Sequence, residues 1–168
     1  TTFTSVFVIV VISGLFMGGM LNLYPSPYNL GTSYHNTHSE VAGMEHVYDY
    51  RDVTTPLSGI SVAPGRFADA LLAPEERAIQ RLPRYLEGGD KVPWHFGYDM
   101  APSISSIYSR ETDLVIIPRD KILYVDIFPD MAQHRFTNRD FERLKIDPGV
   151  DFIYSNGEFD FFKITAML

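Results

Sequence analysis

Residues 150–164, VDFIYSNGEFDFFKI, decide what kind of domain this chain forms. Two runs rich in β-branched and aromatic residues, 150–154 and 159–164, flank Ser155-Asn156-Gly157-Glu158. Asn-Gly between such runs is a strong hairpin signal, because both residues tolerate the positive φ that a type I′ turn requires. The spacing therefore predicts an antiparallel hairpin at the end of the chain. A lone hairpin is marginal in water, so more strands and a covering layer are expected upstream.

Working back from the hairpin, Thr137-Asn-Arg-Asp140 has the form of a capping box with Asp in place of Glu, opening a helix through RDFERLK. Residues 113–117, DLVII, hold four consecutive apolar residues after Asp113 and suit a buried strand, and 122–128 are expected to form a second strand. Between 83 and 102, three prolines and three glycines punctuate a long loop whose tip, Pro93-Trp94-His95-Phe96-Gly97-Tyr98, concentrates aromatics. Ala73-Pro74-Glu75-Glu76 reads as a helix start, with proline early and acids facing the positive end of the helix dipole. The segment RFADALL after Pro64-Gly65 is expected to make a helical turn or two, and 57–62 a short strand. Ser39 is placed to cap a helix through Arg51, with Val41, Met44 and Val47 or Tyr48 as its inward stripe. Helices interleaved with four or five strands predict one small mixed α/β (or α+β) domain over residues 39–168.

The other end of the chain is a different material. Of its 168 residues 45% are apolar, and 14 Lys+Arg against 21 Asp+Glu leave a net charge of −7. Every charged side chain lies at or after Glu40. Residues 3–23, FTSVFVIVVISGLFMGGMLNL, are interrupted only by Thr4, Ser5, Ser13 and Asn22. As a helix this run spans about 30 Å, the thickness of a bilayer's hydrocarbon core, so residues 1–24 are expected to be a transmembrane helix. Tyr24 and Tyr28 would sit at the headgroups, and Pro25 and Pro27 end the helix. Residues 25–38 then form a proline-containing linker. Gly14 and Gly18 have the small-xxx-small spacing that lets another membrane helix approach closely.

Charge also bears on orientation and partners. No Lys or Arg follows the helix until Arg51, whereas cytoplasmic flanks collect such residues, so the head is expected outside the cytoplasm. An acidic chain is not a phosphate-tracking nucleic-acid binder. The absence of cysteine rules out a disulfide scaffold.

Candidate chemistry is sparse. His35, His38 and His46 lie near Glu40 and Glu45, but His38 and His46 are two helical turns apart, too far to share one metal ion directly. Asp49-Tyr50-Arg51-Asp52 pairs carboxylates around an arginine, which reads as a helix-end ion pair rather than an acid/base couple. Arg66 and Asp69, three apart, are expected to form a structural ion pair. No phosphate loop, nucleophile elbow or cofactor motif occurs. The best candidate for binding is the loop carrying Trp94, His95, Phe96 and Tyr98, which either stacks on a sugar ring, dips into a membrane interface, or plugs the core.

Four segments in order, LNLYPSPY, GMEHVYDYRD, GISVAPGRFADALL and VDFIYSNGEFDFFKI, resemble the C-terminal region of large multi-spanning prokaryotic membrane proteins, many of them archaeal, grouped with the glycosyltransferases that use lipid-linked sugars. The resemblance implies a last membrane helix leading into a small extracytoplasmic α/β domain. It implies that a chain opening on Thr is the terminal piece of a longer protein, not catalytic on its own. The catalytic acids of that class belong to a loop between earlier membrane helices, and no residue here matches them. The implied partners are the bilayer, other transmembrane helices and a glycan or lipid-linked sugar. The alternative is a structural or accessory subunit of a membrane complex or filament, packed through the N-terminal helix.

Overall fold

The computed structural model describes residues 2–23, 36–82 and 91–166, with side chains left undescribed at residues 2–6, 20–23 and 125. The chain divides into two compact units, Thr1–Asn36 and Thr37–Leu168.

In the first unit, helix α1 covers Thr2–Leu23, 22 residues with no charged side chain. Its apolar residues surround the axis rather than forming one stripe. Gly14 and Gly18 lie one turn apart, and a Cβ built on either meets nothing within 4 Å. Among the described residues, which in α1 include the side chains of Phe7–Gly19 alone, no helix is long and apolar enough to cross a membrane. The expected linker, with Tyr24, Pro25, Pro27, Tyr28 and His35, falls on residues outside the described ones.

The second unit is a mixed α/β domain around a four-stranded sheet in the order β1-β2-β4-β3. Strand β1 (Leu57–Ser58) pairs parallel to β2 (Thr112–Ile116), while β4 (Asp160–Ile164) runs antiparallel to both β2 and β3 (Val150–Ser155). Alternation along β2 and β4 sends side chains to two separate cores. Leu114, Ile116, Phe162 and Ile164 join one cluster with Phe96, Phe136, Phe141 and Leu144. Val115, Phe161 and Ile117 join the other, with Met44, Val47, Tyr48 and Phe67. A central strand buried on both faces reads as an unbroken apolar run, which is why Leu114–Ile117 carries no polar alternation.

Helix α2 (His38–Tyr50) covers one face together with α3 (Pro64–Leu71). Its N-cap is Thr37 rather than Ser39: Glu40 N–H donates to Thr37 Oγ1 (3.2 Å) and Thr37 N–H donates to Glu40 Oε2 (3.0 Å). That reciprocal pair starts the domain two residues earlier than expected. Helix α4 (Pro74–Gln80) begins as read, with Ala73 N–H donating to Glu76 Oε2. Helix α7 (Asn138–Ile146) covers the opposite face and carries the expected Thr137–Asp140 box.

Two expectations are corrected. Residues 122–128 are not a strand: α5 (Pro118–Ile122) runs into a π-helical turn, Leu123–Ile127, before the single turn α6 (Pro129–Ala132). Pro118 fits the first helical position, and Asp120 accepts from Ile117 N–H at 2.9 Å, so the helix start is fixed locally despite the β-branched run that follows. The hairpin turn is also not type I′. Only Gly157 has positive φ (96°), and the loop extends over the four residues between Ser155 and its partner Asp160. Asn156 Oδ1 instead accepts from Glu158 N–H (3.3 Å), an Asx turn, and from Phe159 N–H (3.0 Å), and a bulge shifts the register between Phe152 and Tyr154.

Candidate functional site

Trp94 to Gly97 form one tight 3₁₀ turn with an unusual backbone. His95 (φ 52°), Phe96 (φ 52°) and Gly97 (φ 75°) are successive left-handed residues. Each non-glycine residue held there costs about 1 kcal/mol or more, so surrounding contacts must impose it. They are identifiable. Phe96 is fully buried against Phe136, Phe141 and Tyr98. His95 N–H donates to Arg135 O, and its Nδ1 lies 2.8 Å from Asp140 Oδ2. At Gly97 the positive φ favours glycine, and a Cβ would fall 1.7 Å from Ile107 Cδ1, so that side chain would have to move to admit one.

The consequence is a division of labour within the predicted aromatic loop. Phe96 belongs to the core and is not available to a ligand. Tyr98 is half-buried; its hydroxyl donates to Asp147 (2.9 Å), and Arg143 stacks on its ring at 4.0 Å. Burial and that hydrogen bond push the Tyr98 phenol up. Asp147 is an anchor for the same region. Burial raises its carboxyl, but bonds donated by Ser103, the Gly149 and Ile104 amides and Tyr98 outweigh this and hold it below its ordinary value. Trp94 alone stays open, 50% exposed, edge-on to Phe136 and with the Arg135 guanidinium 4.8 Å from its ring centre.

Trp94 forms one wall of a groove of about 630 Å³, whose floor is Phe136, Val92 and Ile60, with Met100 beside them and Lys91 and Asp99 as its charged groups. A mostly apolar hollow with a few orienting polar groups, in the range of about 300–1,000 Å³, is the usual form of a small-molecule site. Lys91 and Pro93 also line a second hollow of about 460 Å³ that contains Tyr108. Its hydroxyl is the one buried side-chain polar atom among the described residues without a hydrogen-bond partner, and burial pushes its phenol up to about 12. Nothing in the sequence marked Tyr108; its orphaned hydroxyl is a product of packing alone.

The remaining sequence candidates do not assemble. Asp69 pairs with Arg77 of α4 (2.7 Å), not with Arg66, because α3 ends at Leu71 and α4 folds back across Asp69. Arg51 makes no helix-end ion pair with Asp49 or Asp52. It turns inward to Gln80 and Thr55, and Asp52 accepts from Thr54 instead. His46 stacks on Tyr154 at 4.0 Å, and among the described residues no three His, Asp or Glu side chains are placed to hold a metal. Compared with family models, curated proteins and solved structures, the chain matches none.

Proposed function

We propose that this chain is a membrane-anchored, extracytoplasmic binding domain that presents the Trp94 groove to a sugar ring. In this reading α1 lies in the bilayer, and glycosyl transfer, if the domain serves a glycosyltransferase-like membrane protein, is carried out by other segments of that protein. The carrying observation is the half-exposed Trp94 indole, fixed by Arg135, Phe136 and a left-handed turn at the wall of an apolar groove. A flat ring held rigid matches the apolar face of a pyranose, and little ordering entropy is lost when the ligand arrives. Lys91 and Asp99 are the groups available to its hydroxyls.

The anchor rests on the sequence of the 22-residue α1. At 1.5 Å per residue it extends about 33 Å, its length contains no charge, and its apolar residues point in every direction, the pattern of a helix surrounded by lipid or protein. Gly14 and Gly18 are the proposed contact with a neighbouring membrane helix.

Trp94 is the only tryptophan, so its fluorescence reports the groove without a label. With the full chain in lipid nanodiscs, mono- and oligosaccharides should shift or quench the emission saturably. An emission that no glycan alters, together with release of the chain from membranes by alkaline carbonate, would reject the reading.

A further inference from the structure

A third pocket, of about 450 Å³, has arginine as its only charged lining: Arg51, Arg81 and Arg110, with Thr54 and Thr55 between them. In a chain with net charge −7 this is a local inversion of sign. The three guanidinium groups form no ion pair with a carboxylate among the described residues. Arg81 and Arg110 are exposed, while Arg51 is buried, 8% exposed.

Arg51 is the fixed member. Its Nε donates to Gln80 Oε1 (2.8 Å), Nη1 to Thr55 O (2.9 Å) and Nη2 to Gln80 O (2.7 Å), all neutral acceptors. A guanidinium has five N–H donors, so about two remain uncommitted. Gln80 is itself held, donating to Tyr48 O at 3.0 Å. The result is a planar cation, pre-aimed and partly desolvated, where an anion gains most per contact. Asp113 and Asp52 act on Arg51 only through space. Burial raises Asp113 to about 6, so its compensating charge is weakened just below neutrality. Arg81 follows the last residue of α4 in a left-handed conformation (φ 51°, ψ 38°), which sets its side chain at the pocket rather than along the helix.

We infer that this pocket binds a phosphate monoester, with Arg51 as the buried fork, Arg81 and Arg110 as the closing cations and the Thr55 hydroxyl as a neutral donor; the Thr54 hydroxyl is committed to Asp52. Tetrahedral oxyanions suit several converging forks and hydroxyls, and the volume leaves room for a small organic group beyond the phosphate. The pocket shares no lining residue with the Trp94 groove, so the two sites stand or fall separately.

The test uses the full chain in nanodiscs of neutral lipid, titrated with inorganic phosphate at constant ionic strength against a chloride reference. Saturable binding should raise the thermal midpoint. The double variant Arg81→Gln/Arg110→Gln, altering two exposed side chains, should weaken it by about tenfold or more, as expected for lost charge-assisted contacts. The control Arg139→Gln/Lys145→Gln removes the same charge elsewhere and should leave affinity unchanged. Equal weakening in both double variants would mean a general electrostatic effect and overturn the site, as would absence of saturable binding. Competition by glycerol 3-phosphate assigns a free monoester, and competition by vesicles containing phosphatidic acid alone assigns a lipid headgroup. Competition by neither overturns the monoester assignment.

Discussion

His95 and Asp140, 45 residues apart in sequence, meet with Nδ1 2.8 Å from Oδ2. The same Asp140 oxygen accepts from Thr137 N–H (2.7 Å) and Thr137 Oγ1 (2.9 Å). One carboxylate oxygen therefore caps α7 and holds the left-handed turn that displays Trp94. The link explains how a short loop with two strained non-glycine residues keeps a fixed form beside a groove.

Asp140→Ala removes both functions and should destabilise the head by about 2 kcal/mol, combining the lost carboxylate half of the capping box with the lost bond to His95. His95→Ala removes only the second and should cost about 1 kcal/mol. In a double-mutant cycle by chemical denaturation the two effects should fall short of additivity. Strict additivity would mean that the turn is held without this contact.

Trp94 and Phe96, aromatics two residues apart, should separate cleanly under alanine substitution. Phe96 is fully buried at a junction of rings, and Phe96→Ala should cost about 3–5 kcal/mol. Trp94→Ala forfeits an edge-on ring contact and a cation–π contact at a half-exposed site, of order 1 kcal/mol. Glycan binding should be lost in Trp94→Ala while the fold persists. Comparable destabilisation by both would make Trp94 a core residue.

The legibility of this chain in its sequence follows the range of the interactions involved. The Thr137–Asp140 box and the Pro74 helix start were readable because each is settled within four residues. The two-sided burial of β2 is readable in the apolar run Leu114–Ile117, whereas the burial of Thr112 and Asp113 ahead of it is not. Residues 122–128 read as a strand because Ile122, Val125 and Ile127 favour one, while the outcome is decided by the helix opening at Pro118 and its cap from Asp120. The aromatic loop was found, yet its division into buried Phe96 and open Trp94 depends on the turn's left-handed backbone, imposed from α7. The arginine pocket draws on positions 51, 81 and 110, a spacing with no local pattern.

Tyr108→Phe tests the orphaned hydroxyl. Deleting a buried donor that has no partner removes a desolvation penalty, so the variant should be more stable by about 1 kcal/mol in urea denaturation. If ligand occupies the hollow that Tyr108 shares with Lys91 and Pro93, the same variant should bind it less tightly. A stability loss would show that the hydroxyl has a partner in solution.

Two buried carboxyls should give the head an unusual pH dependence. Burial raises Asp113 and Asp120 from 3.8 to about 6. An acid whose folded-state pKa exceeds its unfolded value binds its proton more tightly in the folded protein. Its stabilising contribution is complete below the unfolded value and disappears as the pH rises through the folded one. Stability should therefore fall from about pH 4 to about pH 6 and then level off. Asp147 works in the opposite sense, since its lowered carboxyl withdraws stability as the pH falls below its ordinary value. A maximum near pH 4 follows from the two trends, at more acidic pH than is usual for a domain of this kind. Asp113→Asn should remove Asp113's share of the slope, at most roughly 3 kcal/mol across the window. The variant should gain on the wild type as the pH rises from about 4 to about 7. Unfolding curves that run parallel for wild type and Asp113→Asn across that range would show that Asp113 does not titrate there, and that the Arg51 charge beside it is compensated at every pH.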